Sequence, residues 1–489
     1  MPPGRLTSQV SIRVSRRSFT LWWLSLLLLH GIAGGLIGAS AYFYWGVEGT
    51  PVDYFLLFYG VNFEVRWYST IAVLLGLVAF PHAIAIAKMV SASLYYRACT
   101  FSFGSVAVRG AQSAKCKPAK RQQSKSQRRK LFVQCPAEVA KLYNFLAGRR
   151  GILGVEGKYF HTILFVRELV ETTFQTYQAY RMSVYLQRLW LNRFYVALLV
   201  LNCWLTPLIH HIYKNHEAKK RLLCLVCDCA LDLVSSVVIP CTILVIYYST
   251  FTSEGSFFNM VTVQDEVWFM QVTNELQLLF VVSWRDLASR MVFSLGLAIA
   301  MSDVKELVVG VYITNQVNSF AGVVSGPATN LAAATGPSVD TILAATANHE
   351  PTEGSPSPHQ LGDVPVQSRS STELRFQHLA TLIHGLLVVW GAVVFGLHVF
   401  AESHLSLSQC LFQVRPWGEA KHVCSLVLLD CYSSGISGSA SEIDAEWQAL
   451  NDIAATHIQI RHCSALEIPP VLQRFSRLQS LKFYNSTIV

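Results

Sequence analysis

Long apolar stretches alternate along this chain with short charged ones, and their lengths suit a lipid solvent better than a globular core. Leu21–Trp45, Ser69–Tyr95, Phe194–Tyr213, Leu222–Phe251, Leu276–Met301 and Leu379–Phe400 are each twenty residues or longer and mostly apolar. A helix rising about 1.5 Å per residue needs about 20 such residues to cross a hydrocarbon core of roughly 30 Å. Trp and Tyr sit at both ends of the first run, where interfacial anchors belong. Pro81 and His82 interrupt the second run without excluding it, because a membrane helix can re-satisfy the backbone groups that proline frees.

Three stretches break the pattern. Phe160–Leu191 has helical, amphipathic periodicity, and Arg167, Glu168, Glu171, Arg181 and Arg188 predict a cytoplasmic helix lying on or near the membrane. After Phe194–Tyr213 comes Lys214–Arg221, with four basic residues and one acid. A crossing at Phe194–Tyr213 would leave those charges outside, so a segment that dips in and returns at Pro207 is expected. Leu276–Met301 carries Trp284-Arg285-Asp286 and Arg290 in its middle. Charges there predict a shifted or broken helix, with Arg285 and Asp286 as an intramembrane ion pair in the alternative of an ion pathway.

Composition supports the lipid reading: 52% hydrophobic and 14% charged residues, with a mean hydropathy of +0.37, exclude an ordinary soluble protein of 489 residues. The net charge of +9 is unevenly placed. Residues 97–193 hold eighteen Lys and Arg against four acids, whereas Ala401–Val489 holds six against eight. Basic loops stay on the cytoplasmic side, so the two regions are expected on opposite faces, with a cytoplasmic N-terminus, an extracellular tail and the plasma membrane as location. Ser15-Arg16-Arg17-Ser18-Phe19 also resembles a twin-arginine signal, but the apolar run after it exceeds the usual length of about 7–15 residues.

The densest charge lies at Lys115, Lys117, Lys120, Arg121, Lys125, Arg128, Arg129 and Lys130. With Gln and Ser filling most of the gaps, this stretch cannot bury enough apolar surface to fold. It predicts contact with anionic lipid headgroups, at about 1 kcal/mol per basic residue, or a solvated loop that only fixes orientation. Nucleic acid is not expected, since no aromatic stacking residues are interleaved.

Domain boundaries follow: 1–95 with the N-terminal tail and two spans, 96–193 the basic region and amphipathic helix, and 194–318 further membrane segments. A Gly/Ala/Ser/Thr/Pro-rich linker covers 319–378, the last span 379–400, and a separate tail 401–489. Of twelve cysteines, Cys410, Cys424, Cys431 and Cys463 belong to that tail, the place where disulfides are expected if it lies outside.

The tail repeats an L-x-x-L-x-L-x-x-C/N pattern at Val423, Leu426, Leu428 and Cys431, at Ala455, Ile458, Ile460 and Cys463, and at Leu478, Leu481, Phe483 and Ser486. Such units each contribute a strand to a shared core and gain stability by stacking, and the third copy is cut short at Val489. The expected architecture is therefore an α-helical membrane bundle of about five to six spans followed by the start of an α/β leucine-rich-repeat solenoid that is expected to be incomplete.

Several segments carry a family likeness. Arg167-Glu168-Leu169-Val170-Glu171, Gln175–Ser183, Asn202-Cys203-Trp204, Gln413-Val414-Arg415-Pro416-Trp417, Ile460-Arg461-His462-Cys463 and Tyr484-Asn485-Ser486-Thr487-Ile488 resemble an uncharacterised oomycete-type family of multi-pass membrane proteins with a leucine-rich-repeat tail. The likeness covers roughly residue 54 to the end. It implies architecture without an activity, and relatives would continue through further repeats.

Candidate chemistry is sparse. Asn485-Ser486-Thr487 is the one N-x-S/T sequon, so Asn485 is a glycosylation candidate if the tail is extracytoplasmic. His210, His211, Cys224 and Cys227 offer zinc-type ligands, but cysteine at the mouth of a span more often packs as a small apolar residue. No phosphate-binding glycine loop, nucleophile elbow or H-E-x-x-H is present, so neither a catalytic centre nor a cofactor is expected. These readings favour a non-enzymatic recognition protein, receptor-like or adhesive, with a protein or glycan ligand on the concave strand face of the repeats. A transporter or channel with accessory repeats, or a membrane-anchored cytoplasmic scaffold, is the alternative.

Overall fold

The computed structural model describes residues 12–102 except 59, 60 and 62, residues 145, 154 and 157, and residues 160–248, 265–310 and 371–489 except 405 and 453. The basic run Lys115–Lys130 and most of the linker fall outside the described residues.

Among the described residues, ten helices precede the tail. They are α1 (Arg16–Gly46), α2 (Pro51–Phe58), α3 (Tyr68–Tyr96), α4 (Phe160–Tyr185), α5 (Leu189–Ile212), α6 (Glu217–Leu233), α7 (Ile239–Tyr248), α8 (Glu266–Leu279), α9 (Trp284–Leu307) and α10 (Ser371–Glu402). A π-helical turn, Val234–Val238, joins α6 to α7 as one continuous rod. Among the described residues, six stretches are long and apolar enough to cross a bilayer: Arg16–Gly46, Val65–Tyr96, Leu189–Ile212, Glu217–Tyr247, Trp284–Leu307 and His378–Glu402. A two-stranded ladder, β1 (Ile12–Val14) with β2 (Val308–Gly310), ties the start of α1 to the end of α9.

Helix α4 is not a surface helix. Phe160 and Leu164 at its start are buried in one apolar cluster with Phe19, Ile209, Leu225 and Leu307, whereas Ala179 and Met182 near its end join another with Leu191, Tyr247, Leu276 and Trp417. Its 26 residues, about 39 Å at helical rise, thus run through the depth of the bundle. Its charges escape lipid by facing other helices: Glu168, Glu171, Gln175 and Arg181 are all buried. The reversal expected at Pro207 is absent as well, since α5 continues through Pro207 to Ile212. Only the N–H of Pro207 is lost, a defect a membrane helix tolerates.

Leu276–Met301 is broken, as its charges suggested. Helix α8 stops at Leu279, Phe280 turns extended, and the Ser283 side chain caps α9 by accepting from the Asp286 backbone N–H at 3.2 Å.

The tail forms a five-stranded mixed sheet. Its strands are β3 (Cys410–Val414), β4 (His422–Asp430), β5 (Leu450–Asn451), β6 (His457–Arg461) and β7 (Ser480–Tyr484), with helices α11 (Cys431–Ser434) and α12 (Ala440–Trp447) between β4 and β5. Strands β4, β6 and β7 run parallel, pairing Val427 with Ile458 and Leu481, and Leu429 with Ile460 and Phe483. The second and third copies of the sequence pattern hold this register, but the first is displaced by one residue. Val427 and Leu429, not Leu426 and Leu428, point into the core with Ile443, Trp447, Ile458 and Ile460. A one-residue slip exchanges the two faces of a strand, and Leu426 accordingly faces the other way, packing with Phe412, Val414, Val423 and Met270 of α8. Disulfides Cys410–Cys424 and Cys431–Cys463 staple β3 to β4 and the end of β4 to the end of β6.

That second face is not free for a ligand along its whole width. Besides Met270, Glu266 of α8 accepts from Lys482 Nζ at 2.6 Å and from the Tyr484 hydroxyl at 3.1 Å, and the Arg415 backbone N–H donates to the Ser183 carbonyl at 3.1 Å. The expected ligand-reading surface is therefore in part a docking surface for the chain's own helices.

Candidate functional site

Helix α4 presents Arg167, Glu171, Gln175, Gln178 and Arg181 at intervals of three and four residues, which puts them on one face. Helix α6 answers with Asp228 and Asp232, one turn apart in an otherwise apolar run. Where the two faces meet, ligand oxygens of Glu171, Asp228 and Asp232 all lie within 4.8 Å of one another, and all three residues are buried.

Arg167 is the cation at this cluster, ion-paired with Asp228 and with its Nε 3.4 Å from Glu171 Oε1. Gln175 Nε2 donates to Asp232 Oδ1 at 3.1 Å, and Asn202 Nδ2 on α5 donates to Gln175 Oε1 at 2.9 Å, which fixes the orientation of the amide. The neighbouring Glu168 receives the Thr206 hydroxyl at 2.6 Å. Glu171 Oε2, Asp232 Oδ2 and Glu168 Oε2 have no hydrogen-bond donor among the described residues. Such orphaned oxygens in an apolar surround are costly, at about 1–3 kcal/mol each and more when charged.

Two backbone features build the cluster. Gly296 of α9 lies against Glu171, and a Cβ there would stand 3.2 Å from Glu171 Cδ and closer still to Oε1. The π-helical turn begins two residues after Asp232, and the Ser236 hydroxyl donates to the Asp232 carbonyl at 2.5 Å. Insertions of this kind are frequent where a helix is adapted to a functional site.

A second polar layer lies toward the tail. Arg181 Nη1 reaches Asp286 Oδ1 at 2.5 Å, with Gln178 Nε2 donating to the same oxygen at 2.9 Å and to Ser289 Oγ at 2.6 Å. Arg188 Nε meets Glu275 Oε1 at 2.8 Å, and the Tyr247 hydroxyl donates to the other oxygen at 2.7 Å. Every carboxylate of this layer has its own arginine, whereas the first layer holds four carboxylates around one guanidinium.

The residues singled out from sequence have other surroundings. Asp286 does belong to a buried ion pair, but its partner is Arg181, with Arg290 at 3.6 Å. Arg285 is exposed, because consecutive helical residues point about 100° apart and do not face each other. Asn485 is exposed in a left-handed turn after β7, at φ +46°. The Lys115–Lys130 cluster is outside the described residues. His210 stacks edge-on with His384 beside Phe165 rather than converging with Cys224 and Cys227.

Sequence reasoning missed Asp228 and Asp232. Their signal was present: two acids one turn apart inside an apolar run, with a matching polar stripe on a helix excluded as a span. No family model, curated protein or solved structure matches this chain.

Proposed function

We propose that this chain is an integral membrane protein that binds a divalent cation among its helices and carries it across the bilayer, with the disulfide-bonded tail as an accessory unit. The observation behind this reading is the buried cluster of Glu171, Asp228 and Asp232, in which Glu171 and Asp232 keep oxygens with no hydrogen-bond donor among the described residues. The three candidate ligands less the Arg167 guanidinium carry two negative charges, which one divalent ion neutralises, and the fourth carboxylate, Glu168, is held apart by the Thr206 hydroxyl. Oxygens up to 4.8 Å apart suit a hard cation bound at about 2.1–2.5 Å from each. The three residues are nearly inaccessible, as in an occluded state.

Counting α4 as a crossing supports the orientation. Seven passes with a cytoplasmic N-terminus put the basic regions 97–159 and 214–221 inside and the tail outside, where its two disulfides persist. The plasma membrane and the oomycete-type family likeness belong to this same proposal. A second reading, recognition of a protein or glycan by leucine-rich repeats, is favoured by the parallel ladder β4-β6-β7 and by the exposed Asn485 turn.

The test uses the full chain in lipid nanodiscs and proteoliposomes, with Mn²⁺ as probe. Saturable Mn²⁺ binding and uptake, both abolished by Asp232→Asn and by Glu171→Gln, is the expected result. Binding unchanged in both variants, or no Mn²⁺ binding by the unaltered protein, overturns the proposal.

A further inference from the structure

A separate buried cluster lies between α1, α3 and α9. His30 and His82 occupy the middle of their helices and are almost inaccessible, at 1% and 0%. Lys305 Nζ is 2.6 Å from His30 Nε2, His30 Nδ1 is 3.1 Å from His82 Nδ1, and His82 Nε2 is 3.2 Å from both the carbonyl oxygen and the hydroxyl of Ser294. Both nitrogens of both rings are therefore engaged.

The partners dictate the tautomers. An ammonium only donates, so His30 Nε2 accepts and its proton sits on Nδ1. His30 Nδ1–H then donates to His82 Nδ1, which leaves the proton of His82 on Nε2, pointed at Ser294. Each nitrogen–nitrogen contact then pairs one donor with one acceptor, and the His82 Nε2–H lies between the two oxygens of Ser294. Among the described residues no carboxylate takes part in these contacts, and Lys88 on α3 is a further charged neighbour. Gly34 closes the site, since a Cβ there would stand 2.8 Å from the Cβ of His82.

From this geometry we infer that Lys305, His30, His82 and Ser294 form a proton relay, a site distinct from the carboxylate cluster and independent of the cation reading. Lys305 Nζ gives a proton to His30 Nε2 as His30 Nδ1–H passes to His82 Nδ1 and His82 Nε2–H passes to Ser294 Oγ, whose own hydrogen leaves to water. Each N–H or O–H bond broken is matched by one formed. Hydronium from the aqueous phase recharges the Lys305 amine, and each imidazole turns over about its Cβ–Cγ bond to restore the first tautomer before the next transfer. Ser294 precedes Lys305 by eleven residues on α9, about 16 Å between their backbones, and the Lys305 side chain leans back along the helix so that the hydrogen-bonded series bridges this gap.

Two measurements on the full chain test the relay. In proteoliposomes holding a pH-sensitive dye, with the potential clamped by K⁺ and valinomycin, an acid pulse is expected to drive a proton flux. His82→Gln and His30→Gln should each cut it by about tenfold or more, as loss of a positioned proton carrier does. Flux no greater than in empty vesicles, or fully retained by both variants, overturns the inference. Nitrogen-15 spectra of the unaltered protein in nanodiscs need no variant: they should show His30 protonated on Nδ1, His82 on Nε2, and a coupling across the shared hydrogen bond. Both rings protonated on Nε2 would overturn the relay whatever the flux.

Discussion

Gly296→Ala separates the effect of the carboxylate cluster from the stability of the bundle, because the two respond with opposite sign. An alanine methyl at 296 would fall 3.2 Å from Glu171 Cδ and nearer to Oε1, so the carboxylate must swing away. Oε1 is the far end of a flexible side chain and can move without displacing backbone. The helix itself gains, since Gly→Ala in a helix interior contributes about 0.5–1 kcal/mol. The cation site loses: misorienting one coordinating group costs about 10–100-fold in affinity, or about 1.4–2.8 kcal/mol. Mn²⁺ titration by electron paramagnetic resonance in nanodiscs reads the affinity, and thermal unfolding in the same nanodiscs reads the stability. Gly35→Ala on α1, where an added methyl has nothing within 4 Å, is the control and should keep the affinity. If Gly296→Ala binds Mn²⁺ as the unaltered protein does, Glu171 is not a ligand and the cluster reading fails.

The remaining predictions probe the arginine-paired layer and the tail. Arg181→Met removes the nearer cation of Asp286 but leaves Arg290 at 3.6 Å and the Gln178 amide, so it should destabilise the protein by about 1–3 kcal/mol, whereas Arg285→Met, at an exposed position, should stay within about 0.5 kcal/mol; thermal unfolding compares the two. Replacing Cys431 and Cys463 by Ser opens a loop of 32 residues and should cost the tail about 3–4 kcal/mol, seen as faster proteolysis after residue 401 with the bundle intact. Glu442 accepts from the Ser437 hydroxyl at 2.7 Å and from the backbone N–H groups of Ser437, Gly438 and Ser439, and these bonds pull its carboxyl from 4.5 down to about 2. A lowered folded value means that the stabilisation is complete above pH 4.5 and is lost as pH falls through about 2. Pepsin cleavage between α11 and α12 should therefore rise from pH 4 to pH 2 in the unaltered chain and be higher and flat in Glu442→Gln.

Composition alone revealed the six apolar rods, because in lipid the length and greasiness of a run are themselves the folding signal. Helix α4 escaped for the converse reason. Its charges are excluded from lipid only by partners such as Asp228, Asn202 and Asp286, which lie 27 to 108 residues further along the chain, and no local window holds that information. Pro207 misled because the charge of Lys214–Arg221 seemed to demand a reversal. With α4 counted as a crossing, as proposed above, those charges fall on the basic side without one. In the tail, Val423–Leu429 is so nearly continuous in apolar residues that the repeat pattern fits it at two offsets. Aligning Cys431 with Cys463 selected a spacing of 32, whereas the strands pair at 31. The disulfide joins residues that lie beyond the paired ends of the strands, so it tolerates a register different from its own.

Helix α9 meets both sites, which explains why it has no single polar stripe. Gly296 admits Glu171 on one side, and Ser294 receives His82 two residues earlier, about 200° around the helix and so on nearly the opposite side. Asp286 binds Arg181 at its beginning and Lys305 binds His30 near its end. Residues needed on every side must be polar or small on every side, and periodicity then vanishes from the sequence. The carboxylate cluster and the histidine relay are thus chemically separate but share one rigid wall. That wall begins at Ser283, four residues beyond α8, and α8 is held to the tail through Glu266 and Met270. A sheet outside the bundle is in this way connected, by two helices and a four-residue link, to each of the buried polar clusters within it.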